Sequence, residues 1–134
     1  DDGAHGDGAA GDGVYGALIP ESRFASGQMV RYYLVATDVA AKTSRWPLFT
    51  DPNATEEFLG TIVEPTNAVS PLPVFHLFVA PAQMSRIDSE SGGRASFFYD
   101  GEFYDNILVE VRGNTSAGLN KKSHRIEFNR QVLG

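Results

Sequence analysis

The chain has 134 residues, carries 17 acidic against 11 basic side chains for a formal net charge of −6, and contains no cysteine. That length makes one compact domain or two small ones, burying roughly two thirds of the surface of the unfolded chain. The missing cysteines exclude disulfides, thiolate catalysis and cysteine-bound zinc. The acidic balance argues against a nucleic-acid partner, and no apolar run reaches the roughly 18 residues of a membrane span.

The first sixteen residues are rich in Gly and Asp and repeat one pentapeptide pattern: Asp2-Gly-Ala-His-Gly, Asp7-Gly-Ala-Ala-Gly, Asp12-Gly-Val-Tyr-Gly. Glycine at this density is too costly in backbone entropy for helix or strand interiors, so turns with positive φ are expected. The segment twice contains the spacing of a dinucleotide fingerprint, Gly6-x-Gly8-x-x-Gly11 and Gly11-x-Gly13-x-x-Gly16. No strand precedes it, and Asp7 and Asp12 would repel a pyrophosphate, which removes nucleotide binding there. Two readings stay open. Asp2, Asp7 and Asp12 with turn carbonyls offer the hard oxygens that suit Ca²⁺, although the spacing fits neither the EF-hand loop nor the Ca²⁺-binding nonapeptide repeat. Alternatively, the segment is a solvated loop whose Asp side chains cap their own backbone.

Val14–Ile19 reads as a strand, and Gln28–Asp38 as a longer one with apolar groups on both faces, as in a sandwich. Thr43–Pro47 reads as the last short strand of this part. Pro52, Pro65 and Pro71 punctuate a connector over 48–71, with a strand at Phe58–Val63 inside it. Leu72–Val79 is a continuous apolar run suited to a buried strand, with His76 as a core histidine, and Pro81–Ile87 fits one or two helical turns opened by proline. Phe97–Tyr99 and Glu102–Tyr104 flank Asp100-Gly101, a dipeptide that favours a type I′ hairpin turn.

Ile107–Val111 is a branched apolar strand, and Arg112-Gly113-Asn114-Thr115-Ser116 a loop of small residues. A second strand follows, in which Lys122, His124, Ile126 and Phe128 share one face at period two. Strand, small-residue loop and paired lysines together suit a phosphate: small residues let backbone N–H groups approach it, and a strand lysine neutralises it. Ile126 and Phe128 must point inward, so alternation favours Lys122 as the phosphate partner, with Lys121 on the opposite side. Arg112 and Ser116 are candidates to position the loop or bond a phosphate oxygen. The bland reading is a surface strand that ends in charges, with Arg112 pairing Glu110 or Glu127 within a sheet.

Asn106 to Phe128 resembles the spore-coat protein H (CotH) kinase-like family, whose members carry an Arg-Gly-Asn-x-Ser loop and a Lys-Lys-Ser-aromatic-Arg-Ile-x-Phe strand. The resemblance reaches back to about Leu72, through Leu72–Val79 and Phe103-Tyr104-Asp105-Asn106; His124 stands where the family usually has an aromatic ring. The segment before Leu48 looks like the closing strands of the bacterial immunoglobulin-like or fibronectin-like modules that precede such domains. The resemblance implies a mainly β chain: residues 1–47 as the end of an immunoglobulin-like β-sandwich, 48–71 as a connector, and 72–134 as the first strands of a CotH-type kinase-like domain. It implies a secreted or cell-surface parent that transfers a phosphoryl group from ATP with Mg²⁺ to Ser or Thr of a protein substrate. The phosphates would then be held by Lys122, Lys121, Arg112, Gly113 and Ser116.

A whole kinase fold needs about twice this length, and neither a His-Arg-Asp-like catalytic loop nor an Asp-Phe-Gly-like metal site follows Phe128. The chain therefore reads as a piece of a longer protein, with no catalytic residue of its own. Neither a Gly-x-Ser-x-Gly elbow nor a His-Glu-x-x-His helix occurs. The competing expectation is a non-catalytic extracellular β module for adhesion or binding, with a structural loop and Ca²⁺ at the Asp-Gly repeat.

Overall fold

A computed structural model describes residues 1–48, 57–64, 70–113, 118 and 120–128. The chain is mainly β, and among the described residues every strand pair is antiparallel. Strand β1 (Met29–Tyr32) pairs with β4 (Leu59–Ile62), and β2 (Leu34–Thr37) with β3 (Thr43–Trp46). A four-stranded meander of β5 (His76–Phe78), β6 (Gly93–Tyr99), β7 (Glu102–Val111) and β8 (His124–Glu127) follows, in spatial order β5-β6-β7-β8. Between β5 and β6 lie a 3₁₀ turn (Pro81–Gln83) and the single-turn helix α1 (Met84–Ile87), begun by proline as its sequence predicts.

The β6–β7 hairpin is built on Asp100 and Gly101, with φ of 50° and 83°, the two positive values a type I′ turn requires. Its register then slips: Ala95 pairs with Ile107, but Phe97 pairs with Tyr104, so Asp105 and Asn106 together oppose Ser96. This is a β-bulge, with Asn106 in the left-handed region at φ 54°. The extra residue restores the alternation of faces: Tyr104 joins Ile107 and Val109 on one side, and Phe103 and Asp105 take the other.

One face of the meander carries the core. Ile107 and Val109 are fully buried there with Ala95 and Ile87 of α1, and Leu77, Val79, Phe97, Tyr104 and Ile126 pack around them. Phe128 extends this face: its ring lies 4.7 Å from Tyr104 and 5.3 Å from Phe97, centroid to centroid. The other face meets the β1–β4 ribbon. Gly60 is required at that contact, because a Cβ there would lie 2.4 Å from the Phe103 ring.

Several strands differ from their sequence reading. Val14–Ile19 forms no strand and stays exposed: Tyr15 and Leu18 find no apolar surface to cover them. The long run Gln28–Asp38 breaks at Tyr33 into β1 and β2, which enter different two-stranded sheets. Leu72–Val79 contributes only three residues to β5, and Leu72 and Phe75 lie outside it, exposed. The strand inside the expected connector is present as β4, and its partner is β1 of the preceding segment, so pairing crosses the boundary placed at residue 48.

Candidate functional site

The β7–β8 connection closes tightly. Arg112 N donates to the carbonyl of Ser123 at 2.8 Å, and Gly113 sits at φ 89°, a conformation that favours glycine. Ser116, with Asn114, Thr115 and Ala117, lies outside the described residues. Lys122 is half-buried, and its ammonium donates to the backbone carbonyl of Asp88, the C-cap of α1, at 3.0 Å. His124 Nε2 lies 3.0 Å from Asp88 Oδ1, so two residues of the same strand face hold the end of the helix. Lys121 is exposed. Arg125 meets two carboxylates: its Nη1 lies 3.2 Å from Glu110 Oε1, and Nη2 contacts Glu127. The two lysines thus differ, Lys122 lying against the helix and Lys121 towards solvent.

The Asp-Gly loop is a set of self-capped turns. Gly3, Gly6, Gly8, Gly11 and Gly13 all have positive φ, as the composition predicts. Asp1 accepts from Gly11 N and Gly13 N, Asp2 from Ala4 N, and Asp12 from Ala9 N and Val14 N. Asp7 is the centre: its side chain is 1% exposed, and its Oδ2 accepts from Asp2 N at 3.0 Å, with the amino group of Asp1 3.4 Å away. The Asp2 N–H holds the Asp7 carboxyl below the ordinary aspartate range despite burial, because a bond to the charged form favours it. Its other oxygen, Oδ1, is buried with no hydrogen-bond partner. Among the described residues no three His, Asp or Glu side chains converge as a metal cage. The expected set of Asp2, Asp7 and Asp12 is therefore aimed mainly at backbone N–H groups.

A third arrangement was not foreseen. Asp105, with a side chain only 3% exposed, accepts from Ser96 Oγ at 2.5 Å, from Phe58 N at 3.0 Å and from Arg31 Nη2 at 2.7 Å. It ties the ribbon, through Arg31 and Phe58, to the floor of the sheet. The Arg31 guanidinium also lies 4.1 Å over the Phe58 ring, and Arg45 stacks on Tyr33 at 4.7 Å and Phe58 at 5.2 Å. Beside Asp105, Arg94 Nη1 donates to the carbonyl of Asn106 at 3.0 Å. Arg31, Arg94, Ser96, Asp105 and Asn106 line a cleft of about 890 Å³ between ribbon and sheet. The one sequence signal was the polar pair Asp105-Asn106, which interrupts the alternation of an otherwise apolar strand.

No family model, curated protein or solved structure matches this chain. The functional reading rests on its own residues and on the resemblance they carry.

Proposed function

We propose that this chain supplies the phosphate-holding strand–loop–strand unit of an ATP- and Mg²⁺-dependent protein kinase resembling the CotH family, in a secreted or cell-surface protein that acts on Ser or Thr of a protein partner. The observation that carries the reading is the β7–β8 connection. Two adjacent strands are pinned at the loop base by Arg112 N and Ser123 O, Gly113 adopts a positive φ, and a half-buried lysine stands where the second strand begins. The small residues expected of this loop would let backbone N–H groups approach an anion, and Lys122 would add a point charge. Arg112 and Lys121 flank the same connection and raise the local potential.

The test is titration of the protein that carries this chain with a fluorescent ATP analogue and Mg²⁺. Lys122→Ala abolishes saturable binding while far-ultraviolet circular dichroism is retained, and Lys121→Ala weakens it only slightly. Equal binding by the wild type and Lys122→Ala refutes the reading.

A second reading is favoured by one contact. Because the Lys122 ammonium already donates to the Asp88 carbonyl, the lysine has a structural use as a strap on α1, and the chain is then a non-catalytic extracellular β module. Ca²⁺ belongs to this reading: a hard cation at Asp7 would take up the unpartnered Oδ1 and offset the crowding of Asp1, Asp2, Asp7 and Asp12. A rise in melting temperature with millimolar Ca²⁺, lost in Asp7→Ala, supports the cation, and no shift disposes of it.

A further inference from the structure

The cleft between the β1–β4 ribbon and the meander collects positive charge in an acidic chain. Two guanidiniums converge on one bulge, Arg31 on Asp105 Oδ2 and Arg94 on the carbonyl of the adjacent Asn106. Among the described residues Asp105 is the one carboxylate in the lining, so guanidiniums outnumber carboxylates there. Arg23 joins the same lining from the 3₁₀ turn Glu21–Arg23. A guanidinium has five N–H donors, and the hydrogen bonds to Asp105 and Asn106 employ one from each of Arg31 and Arg94 while fixing their planes. Phe24, Met29 and Phe78 supply apolar surface in the lining, beside the polar Gln28, Gln83 and Ser96. The volume, about 890 Å³, falls within the roughly 300–1,000 Å³ of small-molecule sites.

From this we infer that the cleft binds a monocarboxylate with an apolar body, its head on Arg31 and Arg94 and its tail against the aromatic and thioether wall. Charge selects an anion: Arg23, Arg31 and Arg94 line the cleft against the one carboxylate of Asp105. A planar carboxylate also matches the guanidinium fork. Arg23 adds to the positive potential that draws an anion to the cleft. The inference stands apart from the phosphotransfer reading, because none of Lys121, Lys122, Arg112 and Gly113 lines this cleft.

Two sources share this chemistry: a free organic acid and the carboxyl terminus of a peptide. The probes are hexanoate with hexanamide, and a short leucine-rich peptide with a free or amidated carboxyl end, each titrated into the ¹⁵N-labelled chain by NMR. Hexanoate is expected to bind saturably, to shift the amide signals of Arg94 and Asn106, and to weaken with added salt, while hexanamide has no effect. Arg94→Gln weakens hexanoate about tenfold, the loss of one charge-assisted hydrogen bond. Arg23→Gln slows association more than it speeds release. Tighter binding of the free-acid peptide than of hexanoate assigns the site to peptide termini, and the reverse order assigns it to small acids. Equal responses to hexanoate and hexanamide, or no saturable shift at Arg94 and Asn106, overturn the inference; so does an Arg94→Gln chain that is folded and binds hexanoate unchanged.

Discussion

Replacing Asp105 by Ala tests whether a single buried carboxylate joins the ribbon to the meander. The substitution removes the acceptor of three donors: Ser96 Oγ, Phe58 N and Arg31 Nη2. Breaking a buried ion pair from one side costs roughly 3–5 kcal/mol when the remaining charge stays dry. Here the Arg31 side chain is 36% exposed and water can reach it, so its share is discounted. What remains is the loss of acceptors for a buried hydroxyl and a partly buried amide, about 1–3 kcal/mol together. The expected loss is therefore about 2–4 kcal/mol, read from the urea midpoint at unchanged m-value. Asp105→Asn keeps an acceptor but not the charge, and is expected to lose about half as much. In a double-mutant cycle with Arg31→Gln the two effects should be non-additive, since each residue is the other's partner. If Asp105→Ala unfolds within about 0.5 kcal/mol of the wild type, the range of an ordinary surface change, the carboxylate is no tie between ribbon and sheet.

Other outcomes follow from single positions. Gly60→Ala pushes a methyl group against the Phe103 ring and is expected to destabilise the chain by about 1–3 kcal/mol in the same urea assay. Gly101→Val places a β-branched residue at φ 83° and is expected to cost at least about 1 kcal/mol, with loss of the cross-strand NMR contacts between Tyr99 and Glu102. Asp7 has a folded pKa below its unfolded value, so its contribution is present above the unfolded pKa and is lost as pH falls through the lower folded one. Melting temperature should therefore decline with acidification below about pH 4, less steeply in Asp7→Asn, whose side chain does not titrate.

Local signals were legible where one residue type serves one purpose. The Asp100-Gly101 turn, the positive φ of the Asp-Gly repeat and the proline at the start of the 3₁₀ turn all follow from backbone chemistry, which tertiary contacts leave little room to override. Strand extent was not legible, because a run of apolar residues says nothing of how many neighbours will cover it. Leu72 and Phe75 belong to the same run as Leu77 and Val79, yet Leu72 stays exposed and Phe75 reaches the core only through its stacking on Phe97. Val14–Ile19 failed for the same reason. Of the candidate site, parity on β8 was readable and placed Lys122 on the inward face. Its contact with Asp88 was not readable, since it joins positions 34 residues apart.

The bulge at Asp105-Asn106 explains why the role of Asp105 does not show in a period-two reading of β7. Period-two reading of β7 requires a continuous alternation, and one inserted residue moves every later side chain to the other face. With no bulge, the Asp105 carboxylate would share a face with Ile107 and Val109 inside the core, an unpaired charge where burial is nearly complete. The inserted residue places the same carboxylate under the ribbon, where Arg31 and Phe58 N meet it. Only Asn, Asp or Gly adopts the left-handed backbone at the next position without appreciable strain, and Asn106 is there. The polar pair that looks like a defect in the strand is thus what fastens β1 and β4 to the meander, with Arg31 bonded to Asp105 and Arg94 to the carbonyl of Asn106.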